Sequence, residues 1–129
     1  MNTTDIIDSL MNDDTIDGRD IRARIDELEA VEAPTEEESA ELTDLVAFLH
    51  EARQYNSDAD EGEAIIAESY FMDYIKEIIY DCYPLPAELT SGGWPYRHIT
   101  INYEAAAEEA RADYAELTFR GRNFYIQAC

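Results

Sequence analysis

Lysine is almost absent from this chain: a single Lys, at position 76, stands in 129 residues. Residues 1–70 have none and set 4 Arg against 21 Asp or Glu, a net of −17. Residues 71–129 hold 5 bases against 9 acids and complete the total of −21. A solvated helix face ordinarily mixes Lys with Glu, and the first stretch lacks that mixture. A surface this acidic is repelled by DNA, RNA and anionic lipid, so no direct nucleic-acid or membrane contact is expected. Basic protein partners are favoured instead, with association that is fast and sensitive to salt.

Other shortages narrow the function further. No apolar run approaches the ~18 residues of a membrane span, and no charged-then-apolar leader is visible, so neither a span nor a signal peptide is expected. Cys82 and Cys129 are the two cysteines. Free thiols in a reducing cytoplasm are the expectation, with Cys82 a small buried residue on a helix face beside Ile75 and Ile78. His50 and His98 lie apart, without a neighbouring His or Cys at zinc spacing. Phosphate-cradling glycine loops and the Gly-x-Ser-x-Gly elbow are missing.

The Asp-rich stretches call for a calcium test. With Gly18 at position 6 of the loop motif, Asp13, Thr15 and Asp17 take ligand positions, but Arg24 falls where a bidentate Glu is needed. With Gly62 there, Glu68 is correctly placed but Ala59 offers no side-chain oxygen. Both frames fail, and paired carboxylates are too abundant here for any one pair to mark an active site. The expectation is a protein with no metal, no cofactor and no catalysis.

What the chain has is helical periodicity. A short helix is predicted over residues 3–11, capped by Thr4, with Ile6, Ile7 and Leu10 on one side. A second runs from about Asp17 to Glu32, with Ile21, Ile25, Leu28 and Val31 along one face and Asp20, Asp26, Glu27 and Glu29 opposite. Ala33-Pro34 ends it. Thr35 to Glu38 reads as a capping box opening a third helix, which carries Leu42, Leu45, Val46 and Leu49 and ends near Arg53. The short connection predicts an antiparallel helical hairpin, acidic outside. Residues 55–62 read as a linker.

A fourth helix is predicted over residues 63–83, ended by Pro84 and Pro86, with Phe71, Ile75, Ile78 and Cys82 as the central core stripe. Tyr70, Tyr74, Tyr80 and Tyr83 are read as core residues with hydroxyls at the rim. Asn102 caps a helix from Tyr103 to about Ala112. Leu117 to Gln127 gives a β-hairpin signal around Arg120-Gly-Arg-Asn123. With most of the 9 Tyr and 4 Phe after residue 69, the core should be C-terminal-heavy. The fold class is α+β, predominantly helical: an acidic helical region over residues 1–62, then a helix-plus-small-antiparallel-sheet unit over residues 63–129.

Unpartnered carboxylates on folded helices resemble a phosphate backbone. Duplex DNA presents one charge per ~1.7 Å of axis. Carboxylates at i, i+3 and i+4 on two adjacent helices, rising ~5.4 Å per turn, give a similar density. Asp20, Asp26, Glu27, Glu29, Glu32, Glu36, Glu37, Glu41 and Asp44 are the candidate double row. The alternative is a merely solvated face.

Tyr70 to Glu77, the Leu85-Pro86 loop, Ile101-Asn-Tyr-Glu-Ala105 and the terminal strand pair Leu117 to Ile126 resemble the C-terminal domain of the ArdA antirestriction family. The resemblance covers about half the chain. It departs at Glu108-Glu109, where the family commonly has Arg-Asp, and in residues 1–62, which look like an acidic hairpin in place of the family's two N-terminal domains. It implies an elongated, dimeric DNA mimic that blocks Type I restriction-modification enzymes in the host cytoplasm. The partner would be a basic DNA-binding protein of host defence. The alternative is an anti-CRISPR or other acidic inhibitor acting by shape. For a homodimer, Trp94, Tyr96, Tyr114, Phe124 and Tyr125 are the candidate interface, because the acid-dense half would repel its own copy.

Overall fold

The computed structural model describes residues 6–83 and 85–128. The readings of Thr4 as a cap, Pro84 as a helix stop and Cys129 as a free thiol lie outside the described residues. The chain is α+β and predominantly helical, with a four-stranded antiparallel sheet. It divides into two compact units, one from the stretches Met1–Tyr70 and Asp113–Cys129, the other from Phe71–Ala112.

In the first unit, helix α1 (Ile6–Asn12) leads to strand β1 (Thr15–Asp17), and helices α2 (Gly18–Glu29) and α3 (Glu36–Tyr55) follow. Strand β2 (Ala64–Ala67) comes next, and the hairpin β3 (Tyr114–Phe119) and β4 (Arg122–Gln127) closes the sheet in the order β1-β2-β4-β3. Asp17 has extended backbone at the end of β1, and its carboxylate accepts from the Arg19 amide at 2.8 Å, which starts α2. The capping box is present: the Glu38 amide donates to Thr35 Oγ1 at 3.1 Å, and the Thr35 amide donates to Glu38 Oε1 at 3.0 Å. Arg120 and Gly121 both have positive φ, as a two-residue hairpin turn requires.

Strand periodicity explains the core. Ile16 pairs with Ile65 and Ile65 with Ile126, while Ala67 and Leu117 both pair with Phe124. These residues therefore share one face of the sheet, and all are buried. They cluster with Ile6 and Leu10 of α1, Ile21, Ile25 and Leu28 of α2, and Leu45, Phe48, Leu49 and Ala52 of α3. The Phe48 ring meets Phe119 and Phe124 edge-on, with centroids 5.5 and 5.7 Å apart.

This arrangement corrects several expectations. The boundary after residue 62 cuts through the first unit, because β2 pairs with β1 on one side and β4 on the other. The helix expected from residue 63 is instead strand β2 followed by a single 3-10 turn, Glu68–Tyr70; the α-helix begins at Phe71. Ile65 and Ile66 are both buried, so the β-branched pair sits in an interior strand with both faces covered. The core is not C-terminal-heavy: most of its residues come from residues 6–67, completed by the hairpin.

The expected linker is a packed loop. Asn56 is buried; its Nδ2 donates to the Gln127 carbonyl at 2.9 Å and its Oδ1 accepts from the Asp58 amide at 2.9 Å. Ala59 is fully buried, and a Cβ at Gly18 would lie 1.5 Å from its carbonyl oxygen.

The second unit holds α4 (Phe71–Cys82), α5 (Ala87–Thr90) and α6 (Tyr103–Ala110), with Asn102 capping α6 through the Ala105 amide at 3.0 Å. Helices α4 and α6 pack together, with Tyr80 and Tyr103 centroids 6.1 Å apart and Lys76 Nζ 5.1 Å from the Tyr103 ring. Phe71 and Ile75 are buried as expected, but Cys82, Tyr80 and Tyr83 are exposed. Helix α4 ends at Cys82, so its last turn offers little enclosure.

Candidate partner-binding surface

The four arginines of residues 1–70 each meet a carboxylate, and these pairs, with that of Arg120, divide the nine candidate carboxylates. Arg24 is 9% exposed yet charged. Its Nε donates to Glu41 Oε2 at 2.6 Å, its Nη2 to Glu41 Oε1 at 3.2 Å, and its Nη1 to Glu27 Oε1 at 2.6 Å. The fork on Glu41 is bidentate, the strongest geometry for such a pair. Glu41, with a side chain only 13% exposed, is therefore an internal counter-ion rather than part of an outward row. The hydrogen bonds that Arg24 donates to Glu41 raise the Arg24 pKa.

Asp26 meets Arg22 at 3.3 Å, and Asp44 meets Arg120 at 2.9 Å across to the hairpin turn. Asp20 is half-buried near Arg19, whose pKa is raised first by its hydrogen bond to Asp17 and least by the charge of Asp20. Arg19 itself binds Asp17, and its side-chain hydrogen bond holds the Asp17 carboxyl below the ordinary carboxylate value.

Glu29, Glu32, Glu36 and Glu37 remain. All four are exposed, and none has a basic side chain within ion-pair distance among the described residues. They occupy the end of α2, the connection after it and the first turn of α3. The unneutralised members of the nine candidates thus lie around one turn instead of running as two rows along the helices. Asp14, Asp58 and Glu61, which the sequence reading passed over, are also exposed without a basic partner among the described residues. Their signal was their place in polar connections, where nothing apolar draws them inward.

Between α2 and α3 lies a groove of about 560 Å³. Its apolar lining includes Ile25, Val46 and Leu49, and its polar lining includes Arg22, His50 and Arg53. Val46, expected on the buried stripe, is 45% exposed here.

The five candidate interface residues fall in different places. Phe124 is fully buried and Tyr125 nearly so. Both belong to β4, an interior strand flanked by β2 and β3, so each points into a covered face; the Tyr125 hydroxyl donates to Glu68 Oε2 at 3.4 Å. Neither is available to a second copy. Tyr114 is half-buried in β3. Trp94, at 75% exposure, and Tyr96 belong to the second unit and are open to solvent, as are Met72, Tyr83 and Ile99.

No helix among the described residues is long and apolar enough to cross a membrane. Comparison of the chain with family models, curated proteins and solved structures gave no match.

Proposed function

We propose that this chain is a DNA-mimic antirestriction protein that inhibits a host DNA-binding defence enzyme, a Type I restriction-modification enzyme first, by occupying its DNA-binding groove. The observation that supports this reading is the set of exposed carboxylates Glu29, Glu32, Glu36 and Glu37, without a basic partner among the described residues, at the facing ends of two packed helices and in the short connection between them. Pre-ordered carboxylates release the counterions of a basic groove without first paying the entropy of ordering a flexible tail. The same charge keeps nucleic acid itself away. The resemblance of the C-terminal half to ArdA proteins points the same way.

The energy is distributed over many weak contacts, each exposed pair contributing about 0–1 kcal/mol. Glu29→Gln or Glu37→Gln alone leaves inhibition of restriction nearly intact. Changing Glu29, Glu32, Glu36 and Glu37 to Gln together abolishes it with an unchanged urea midpoint. Full activity in the quadruple variant would refute the mimicry.

A homodimer completes the proposal, because two copies extend the charged track that one short turn offers. The exposed Trp94 and Tyr96 support a contact through the second unit, whose net charge is far smaller than that of residues 1–70.

A further inference from the structure

The groove between α2 and α3 is unusual for its setting. Apolar surface reaches solvent here inside the acid-dense stretch, as it also does at Met11 and Tyr55: Val46 is 45% exposed, with Ile25 and Leu49 buried beside it. Two of the four arginines of residues 1–70, Arg22 and Arg53, line it. Their contacts are loose. Arg22 reaches Asp26 at 3.3 Å and Arg53 reaches Asp60 at 3.9 Å, whereas Arg19 and Arg24 hold their partners at 2.8 and 2.6 Å. Both guanidiniums are also about half-exposed.

These features decide what the groove takes. A small anion is disfavoured, since each guanidinium already has a carboxylate and the whole chain carries −21. A bare ammonium or guanidinium would meet Glu29 on the lining but also both arginines, and it would leave Val46 uncovered. An aromatic ring suits the walls better: it covers Val46 above the buried Ile25 and Leu49, and its faces receive the planar guanidiniums, which stack on aromatics while keeping their carboxylates. Glu29 on the groove's own lining, and the exposed acids around it, attract basic residues flanking the ring.

We infer that this groove is the anchor pocket for an aromatic side chain presented within a Lys/Arg-rich segment of the protein partner. The inference rests on the proposed basic partner, and it adds a focused contact to a surface of otherwise weak ones. Charge then governs encounter, and the anchor governs residence.

The test uses two lysine-rich peptides, identical except for Trp or Ala at the centre, titrated calorimetrically into the full chain at about 0.5 M NaCl, where screening leaves little long-range attraction. The Trp peptide binds about tenfold more tightly. Val46→Glu, on an exposed helical position, removes that preference and leaves the Ala peptide bound at least as well. Arg22→Gln with Arg53→Gln also removes it, although this pair makes the protein more acidic and a purely electrostatic site would bind both peptides better. Equal affinity of the two peptides for the unaltered protein overturns the inference. So does a Trp preference that survives Val46→Glu, or a fall in the protein's own mass in that variant, which would seat a second copy in the groove. Failure of the mimicry is read separately, in competition with DNA, because no restriction enzyme enters the peptide titration.

Discussion

Arg24 shows how a residue is diverted from the surface into the fold. A charge with 9% exposure is tolerated because Glu41 and Glu27 satisfy it. Removing one partner strands the other, and for a buried pair that costs about 3–5 kcal/mol. Arg24→Ala should therefore lower unfolding free energy by about 2–4 kcal/mol in urea titration, the lower bound reflecting residual solvent access. Arg24→Met combined with Glu41→Leu should recover most of the loss, and a double variant no better than the single one would contradict the ion-pair account. Asp17 adds a pH dependence. Its folded pKa lies below 3.8, first because of the Arg19 side-chain hydrogen bond, so its stabilisation is present above that value and is lost as pH falls through the folded pKa. Asp17→Asn keeps the cap oxygen and removes the titration. The stability gap between it and the unaltered protein should close on acidification from pH 7, and a constant gap would assign the whole effect to capping.

At the scale of elements, the loop over residues 56–62 holds β2 and α2 together. Gly18→Ala would drive a Cβ into the Ala59 carbonyl at the mouth of α2, where backbone meets backbone and nothing flexible can yield. A loss of several kcal/mol is the expectation, with a lowered thermal midpoint. An unchanged midpoint would mean the loop is not seated there. This contact was invisible in the sequence, where Asn, Asp, Ser and Gly together read as a linker. The helices α2 and α3 were legible, because an i, i+3, i+4, i+7 pattern and a Thr-x-x-Glu cap are local signals. The hairpin β3–β4 was legible from its turn. Strands β1 and β2 were not: at 3 and 4 residues they carry no period, and their partners lie far along the chain. The acidic surface was legible as composition, but which carboxylates stay unpartnered depends on where four arginines fold back, and sequence spacing does not reveal that.

For the whole molecule, the consequence is a separation of tasks. Residues 1–70 carry a net of −17, and the exposed aromatics Tyr83, Trp94 and Tyr96 lie in the less charged second unit. If two copies join, they join there. Sedimentation at tens of micromolar should give a dimer mass, and Trp94→Ala with Tyr96→Ala should give a monomer. A strict monomer before substitution would refute the association. Phe124→Ala would be uninformative, since that ring belongs to the core.

The central claim is that these carboxylates stand in for phosphates. The direct measurement is displacement of a labelled duplex from a purified Type I restriction-modification enzyme. The account predicts stoichiometric release of DNA by the unaltered chain, weakening steeply as salt rises, and none by the variant with Gln at positions 29, 32, 36 and 37. Restriction inhibited while the duplex stays bound would contradict it.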